Sequence, residues 1–390
     1  MTPAARTQAA IELLDGVIAA TREGGAAADT LIARYFATRR YAGSKDRRAV
    51  RELVYAAIRR AGEVPASGRA AMLGVAADDP AIAATFDGST HGPAPIGVEE
   101  GAAPAGVMPA WLAVALDASD VTPQQQAALI GRAPLDVRVN RLLADFAALE
   151  ERLGGEAIAG LPDALRLTAG TNMDPIAGQA EVQDAGSQIV SLAAHAQPGQ
   201  SVVDLCAGGG GKTLALAAAM RNEGRILATD IDRGRLSRLA PRAAKAGVTI
   251  VETRLLDPNR EAAALDDWTG TADCVLIDAP CSGTGTWRRN PEARWRLTPD
   301  RLDRFTTQQR HVLEVGAPLV RPGGALVYIV CSLLDAEGVD QVDGFLADHP
   351  GWFAGPLDLP AGTLRGSGLR LDPASHGTDG FFVARLIRPC

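Results

Sequence analysis

The chain has 390 residues, more than one ordinary core accommodates, so two or three domains are expected. Hydrophobic residues make up 47% and charged residues 22%, a globular balance, and no run approaches the roughly 20 apolar residues of a membrane helix. The net charge of −7 argues against a partner held by charge alone, so any nucleic acid must be met by local basic faces.

Residues 5 to 62 read as helices. QAAIELLDGVIAA and DTLIARYFA carry apolar residues at helical spacing, and SKDRRAVRELVYAAIRR starts at Ser44 as N-cap with Ala49, Leu53, Val54 and Ile58 on one stripe. Between Arg39 and Arg60 lie eight basic residues against Asp46 and Glu52, either an RNA-facing basic face or a solvated surface. A helical domain is expected over 1–85. The Gly/Pro/Ala-rich stretch 86–107 reads as a linker. A small α/β connecting domain is expected over 108–180. It starts with a helix capped by Thr122 with Pro123 at its first position, and continues with strands at LDVRV and ALRLT. The N-terminus has charges in each apolar stretch, unlike a secretory leader.

From residue 181 to 390, short apolar runs alternate with longer helical ones: SVVDLC, GRILATDID, ADCVLIDAP and GGALVYIVCS, with helices between. That alternation predicts a mostly parallel sheet covered on both faces, with ligands beyond the carboxyl ends of the strands. The first strand runs into CAGGGGKT. A phosphate loop requires glycine at Cys206, and a dinucleotide loop requires glycine at Thr213, so both patterns fail. What remains is a glycine turn (Cys206, Ala207, Gly208, Gly209, Gly210, Gly211, Lys212) before a helix, with Asp230 closing the second strand and Asp257 the third. Glycine permits close backbone approach, and an acid after the second strand suits the two hydroxyls of a ribose. Asp257 is the expected partner of an adenine amino group. This is the layout for an adenosyl cofactor, although any one aspartate alone is equally a turn residue.

The five cysteines are odd in number and far apart, with no C-x-x-C pair, which disfavours a zinc site or disulfide scaffold and fits reduced thiols in the cytoplasm. The five histidines show no ligand spacing, so no metal is expected. Cys274 within ADCVLID reads as core and Cys390 as a chain end. Cys281 and Cys331 differ: each follows a strand, on the ligand side, and each precedes a serine. Two thiols near an adenosyl cofactor suit one reaction in particular. A thiolate adding to carbon 6 of a pyrimidine makes carbon 5 nucleophilic toward an electrophilic methyl, and a base then removes the carbon-5 proton so that the thiol can leave. An acid such as Asp278 is needed at the ring nitrogen edge.

In order, the blocks DLCAGGGGKT, ATDIDRGRLSRL, DAPCSGTGTWRRNPEARW, YIVCSLLDAEG and DGFFVARL resemble the signatures of the NOL/NOP/Sun family of RNA cytosine-5 methyltransferases. Within that family the resemblance is to the bacterial ribosomal-RNA enzymes. It implies a Rossmann-like S-adenosylmethionine domain with a seven-stranded sheet, a helical NusB-like RNA-binding domain at the N-terminus, and a small connecting domain. It also implies Cys331 as nucleophile at carbon 6, Cys281 as the residue that aids proton removal and release, and Asp278 as the aspartate facing cytosine and near the cofactor. Cys206 to Lys212, Asp230 and Asp257 become the cofactor contacts. Two positions depart from the family: Gly208-Gly209 replace Ala-Pro, and Val330 replaces threonine before the nucleophile.

The segment from Arg288 to Arg310 is rich in arginine and holds Trp295, with Trp287 just ahead. Arg288, Arg289, Arg294 and Arg296 are the candidate RNA contacts, with the tryptophans as stacking partners. The expected partner is RNA, ribosomal RNA first, bound by a monomer with no membrane association. Two alternatives remain. One is an amino-group methyltransferase, which typically carries Asn/Asp-Pro-Pro-Tyr where this chain has Asp-Ala-Pro-Cys. The other is a catalytically silent RNA-binding assembly factor, against which the intact cysteine pair argues.

Overall fold

The computed structural model describes residues 1–390. They form two compact units: Met1–Arg132 with Thr286–Thr298, and Ala133–Gly285 with Pro299–Cys390. No helix is long and apolar enough to cross a membrane.

The first unit is helical. Helices Pro3–Glu23, Ala28–Ala37, Ser44–Arg60 and Gly68–Asp78 enclose a core that includes Leu14, Val17, Phe36, Val54, Ile58 and Met72. Local chemistry sets their ends. The Thr2 hydroxyl accepts from Ala5 N, Pro3 takes the first helical position, and Gly24 stops the helix at φ 73°. The cap of the third helix is Gly43, one residue before the expected Ser44, and the Asp46 carboxylate accepts from Gly43 N. Its buried stripe is Val50, Val54, Tyr55, Ala57 and Ile58.

The structure redraws two expected boundaries. Residues 86–107 have neither helix nor strand, yet they are no free linker. Ala103 is buried, donates to Ala70 O at 2.9 Å and accepts from Arg60 Nη1 at 2.6 Å. Helices Ala110–Ala118 and Pro123–Ala128 follow in this unit rather than with the connecting sheet, the second with Thr122 as cap and Pro123 first. Thr286–Thr298, expected within 181–390, also belongs here, because its Trp295 lies in the core of the helical unit.

The second unit holds two sheets. Strands β1 (Leu135–Val139), β2 (Glu156–Ala157), β3 (Ala164–Leu167) and β4 (Ala180–Val182) form an antiparallel sheet in the order β2-β3-β1-β4. The main sheet contains β5 (Ser201–Asp204), β6 (Arg225–Asp230), β7 (Val251–Leu255), β8 (Ala272–Asp278), β9 (Val320–Val330), β10 (Phe353–Ala354), β11 (Thr363–Arg365), β12 (Gly368–Leu371) and β13 (Phe381–Ile387). Its order is β7-β6-β5-β8-β9-β13-β12-β11, with β10 beside β13. Strands β5 to β9 are mutually parallel and the rest antiparallel. The sheet has nine strands rather than the expected seven, the surplus being short pieces such as the two-residue β10 and the three-residue β11.

Side chains alternate along each strand, and both faces are buried. Val202, Ile226, Cys274, Leu276 and Ile329 join one core, and Val203, Leu227, Val275, Ile277 and Val330 the other. Strand order reverses between β5 and β8, so a crevice opens beyond their carboxyl ends.

Candidate active site

The crevice is a cavity of about 680 Å³. Its wall includes Leu205 and Cys206 after β5, Asp230 to Asp232 at the end of β6, Asp278 to Cys281 at the end of β8, and Cys331 after β9. Phe305, Gln308 and His311 of helix Pro299–Gly316 line another side.

Cys281 and Cys331 are partly exposed to this cavity, and their sulfurs lie 3.3 Å apart. The strand register explains the meeting. Asp278 of β8 pairs with Ile329 of β9, so a few residues past that pair the two chains reach Cys281 and Cys331 on the same rim. The hydrogen bond with Cys331, and after it burial, pushes the Cys281 thiol well above the ordinary cysteine range. Cys274 is buried, and its thiol is pushed up to about 12 by burial; Cys390 is exposed.

Asp278 points to the same face as Leu276, where helix Gly211–Ala219 packs, and there the Lys212 ammonium meets its carboxylate at 2.6 Å. Lys212 also lies over the Phe381 ring at 5.5 Å. Asp204 closes β5 wholly buried. One of its oxygens accepts from Thr213 Oγ1 at 2.6 Å, and burial raises its carboxyl to about 7.

The glycine turn packs so closely on the segment after β6 that side chains would collide there. Gly208 and Gly210 sit at φ 54° and 84°, and a Cβ would stand 2.5 Å from the Arg235 guanidinium and 2.0 Å from Leu239 Cδ1, respectively. The Arg242 guanidinium donates to Gly209 O and pairs with Glu181 at 2.7 Å. Asp230, only 5% exposed, accepts from Gly208 N at 2.8 Å and Asp232 N at 2.7 Å, which ties its carboxylate to the turn. Asp257 stands between the wall residues Leu256 and Pro258 without lining the cavity itself. Its side chain is exposed and its carbonyl closes a turn with Arg260 N; Leu256, Pro258 and Asn259 form the wall instead. The chain turns sharply after β7, with Asn259 at φ 64°, so the acid belongs to the turn rather than to the cavity.

The arginine segment turns inward, into its own unit, rather than toward a ligand. Arg294 is wholly buried and donates to Ile58 O and Ala61 O at 2.7 Å and to Pro291 O, and burial lowers its guanidinium to about 10. Arg296 donates to Gly25 O at 2.6 Å and Ala26 O at 2.7 Å. Arg288, Trp287 and Trp295 are buried, and Arg289 is half-buried. Arg294 and Arg296 thus bond backbone carbonyls at and just beyond helix ends of their own unit, and the tryptophans are core. Sequence reasoning missed His311, which pairs with Glu261 at 3.2 Å on the cavity wall, and Glu337, which is fully buried behind Cys281. His311 follows Gln308 by one helical turn, the only signal of a shared face.

Comparison with known proteins completes the description. The family described as 16S rRNA methyltransferase RsmB/F matches residues 191–387. A probable ribosomal RNA small subunit methyltransferase B of Synechocystis is 36% identical over 267 residues, 65% of this chain and 59% of that protein. The ribosomal RNA small subunit methyltransferase B of Sodalis glossinidius is 33% identical over 300 residues, 72% of this chain and 65% of its own length. The matched stretch thus spans about three fifths of these curated relatives. Among solved structures, that of PH0851 superposes with TM-score 0.76 at 26% identity over 99% of both chains. A methyltransferase homolog from Pyrococcus horikoshii does so with TM-score 0.59 at 27% identity, over 68% of this chain and 90% of its own.

Proposed function

The chain belongs to the RsmB/F family of 16S rRNA methyltransferases, and from that premise we propose that it methylates carbon 5 of a cytosine in ribosomal RNA, through a covalent bond between Cys331 and carbon 6. The observation that carries this reading is the pair of thiols 3.3 Å apart on a cavity wall that also holds Asp278. Amino-group methylation has no use for two such thiols.

S-adenosylmethionine fits the cavity beyond β5 and β6. The two left-handed glycines let the turn pack directly on Leu239 and Arg235, and Asp230 on the cavity wall offers a carboxylate for ribose hydroxyls. When bound, it supplies an electrophilic methyl group. Cys206 and Asp230 line the cavity and would hold it; Ala207 to Lys212 shape the turn beside them, and Asp257, exposed next to wall residue Pro258, drops out of that role. On the substrate side, Asp278, braced by Lys212, grips the nitrogen edge of cytosine. The Cys331 sulfur bonds to carbon 6, and the ring electrons shift to carbon 5, which takes the methyl. Cys281 assists removal of the carbon-5 proton. Those electrons re-form the ring double bond as the carbon 6–sulfur bond breaks and Cys331 leaves. Val330, in place of the family threonine, is wholly buried in the core, and Cys331 keeps its place beside Cys281 without the hydroxyl. Arg289 remains the proposed RNA contact of the arginine segment.

The test uses purified protein, 16S RNA and a radiolabelled methyl donor. Cys331→Ala should abolish 5-methylcytosine. Cys281→Ala should accumulate a protein–RNA adduct that survives a denaturing gel. Unchanged turnover in both variants sinks the reading. RNA binding that persists without any methylation by the unmodified protein would favour the silent assembly factor.

A further inference from the structure

Glu337 lies six residues beyond Cys331 and is fully buried, in the turn Asp335–Glu337. Its backbone is fixed: its carbonyl accepts from Tyr328 Oη at 2.6 Å and its N–H donates to Leu334 O at 3.1 Å. The carboxylate does not serve its own loop. It crosses to the other one, accepting from Ser282 N at 2.7 Å and from the Ser282 hydroxyl. Gln309 Nε2 donates to the same carboxylate at 3.0 Å and to Pro280 O at 2.9 Å. The residues on both sides of Cys281 are thus held through one buried acid.

The Cys331 loop is tied mainly to Thr284 and Gly285 further along, with Ser332 Oγ also 3.3 Å from Ser282 Oγ and 3.1 Å from Thr284 Oγ1. Cys331 O accepts from Gly285 N at 3.0 Å, Ser332 Oγ from Leu334 N at 3.1 Å, and Thr284 Oγ1 from Leu333 N at 2.9 Å. None of these bonds uses the Glu337 carboxylate. Losing that carboxylate therefore frees Ser282 and Gln309 on the two sides of Cys281, while Cys331 keeps its own bonds to Gly285 and, through Leu333, to Thr284.

We propose that Glu337 is a positioning residue for product release: by clamping Ser282 and, through Gln309, Pro280, it holds the Cys281 sulfur beside Cys331 Sγ. This rests on the reading of Cys281 given above. Glutamine cannot replace the acid, because it offers one acceptor oxygen and turns a donor toward donors. Aspartate keeps both acceptors on a shorter arm.

Kinetics on the full chain with 16S RNA separate this role from a merely structural one. Methyl transfer precedes release, so in Glu337→Gln kcat should fall about 10- to 100-fold while kcat/KM stays within about twofold. The covalent protein–RNA adduct should rise in step, and Glu337→Asp should recover part of the rate. If Glu337→Gln does not fold, Ser282→Ala, which removes the hydroxyl donor to Glu337 together with its 3.3 Å contact to Ser332 Oγ and keeps the Ser282 N–H bond, must shift the same partition by a smaller factor. A fall in kcat/KM matching kcat, with no adduct, overturns the proposal.

A second readout needs neither RNA nor cofactor. Phenylarsine oxide joins two neighbouring thiols by forming two As–S bonds and releasing water. The unmodified protein should bind one equivalent, and Cys281→Ala and Cys331→Ala should each lose it. Glu337→Gln should weaken it at least about tenfold. Equal affinity in Glu337→Gln overturns the positioning role. Tight arsenical binding with no 5-methylcytosine from the unmodified protein would instead fault the functional reading alone.

Discussion

Asp204 shows what a single buried carboxyl does to the molecule. One oxygen takes the Thr213 hydroxyl and the other has no partner, in a site from which water is excluded. Burial raises its carboxyl to about 7, against an unfolded value near 4. The folded state therefore holds a proton that the unfolded chain gives up between about pH 4 and pH 7. Stability from this group is complete below the unfolded value and is lost as pH rises through the folded one, by at most about 4 kcal/mol. Asp204→Asn keeps an acceptor for Thr213 and removes the titration. Urea melts should show the variant gaining on the unmodified protein between pH 5 and pH 8; parallel pH profiles would show that Asp204 does not titrate there. The cysteines divide in the same way by environment. Cys274 is inert core, whereas Cys281 faces a cavity and a second sulfur.

At the scale of the element, the glycine turn and the segment after β6 adapt to each other. The run RGRLSRLAPRAAKAG reads as one helix but forms two, Arg233–Leu236 and Leu239–Lys245. Pro241 has no N–H and its ring crowds the carbonyl four residues back, so it is tolerated only in a first turn, and the helix restarts just ahead of it. That restart sets Leu239 against Gly210. Gly210→Ala should therefore cost about 1–3 kcal/mol and weaken S-adenosylmethionine binding, since it combines a positive φ with a Cβ 2.0 Å from Leu239 Cδ1. At Gly208 an added Cβ meets only the flexible guanidinium of Arg235, so Gly208→Ala should cost less. Calorimetric binding and melting of the two variants test the ranking, and equal losses would contradict it.

At the scale of the whole molecule, chain order and spatial unit diverge. Thr286–Thr298 completes the helical unit: Glu292 accepts from Ala28 N at 2.9 Å, Arg294 caps Ile58 O and Ala61 O, and Trp295 enters the core. Residues 1–132 produced alone lack those partners, and buried groups left without partners cost more than their bonds had contributed. Such a fragment should bind a synthetic 286–298 peptide saturably and melt about 5–10 °C higher with it. No change on adding the peptide would mean that the segment is dispensable to that unit.

Much of the second unit was legible in the chain itself. Strands β5, β6, β8 and β9 are short apolar runs ending in acids or cysteines, and period-two alternation with a parallel arrangement puts those ends on one rim. The types and places of Cys281, Cys331, Asp278 and Asp230 followed from that local pattern. Tertiary structure alone decided the rest. The sulfur contact joins residues 50 apart in the chain and the Glu337 clamp residues 55 apart, and neither separation leaves a periodicity to read. The same holds for His311 on the cavity wall, for Asp257 outside it, and for Arg294 inside a helical core. Whether a polar side chain faces a ligand, solvent or a buried carbonyl depends on which distant element packs over it, and a residue's type and its near neighbours do not contain that information.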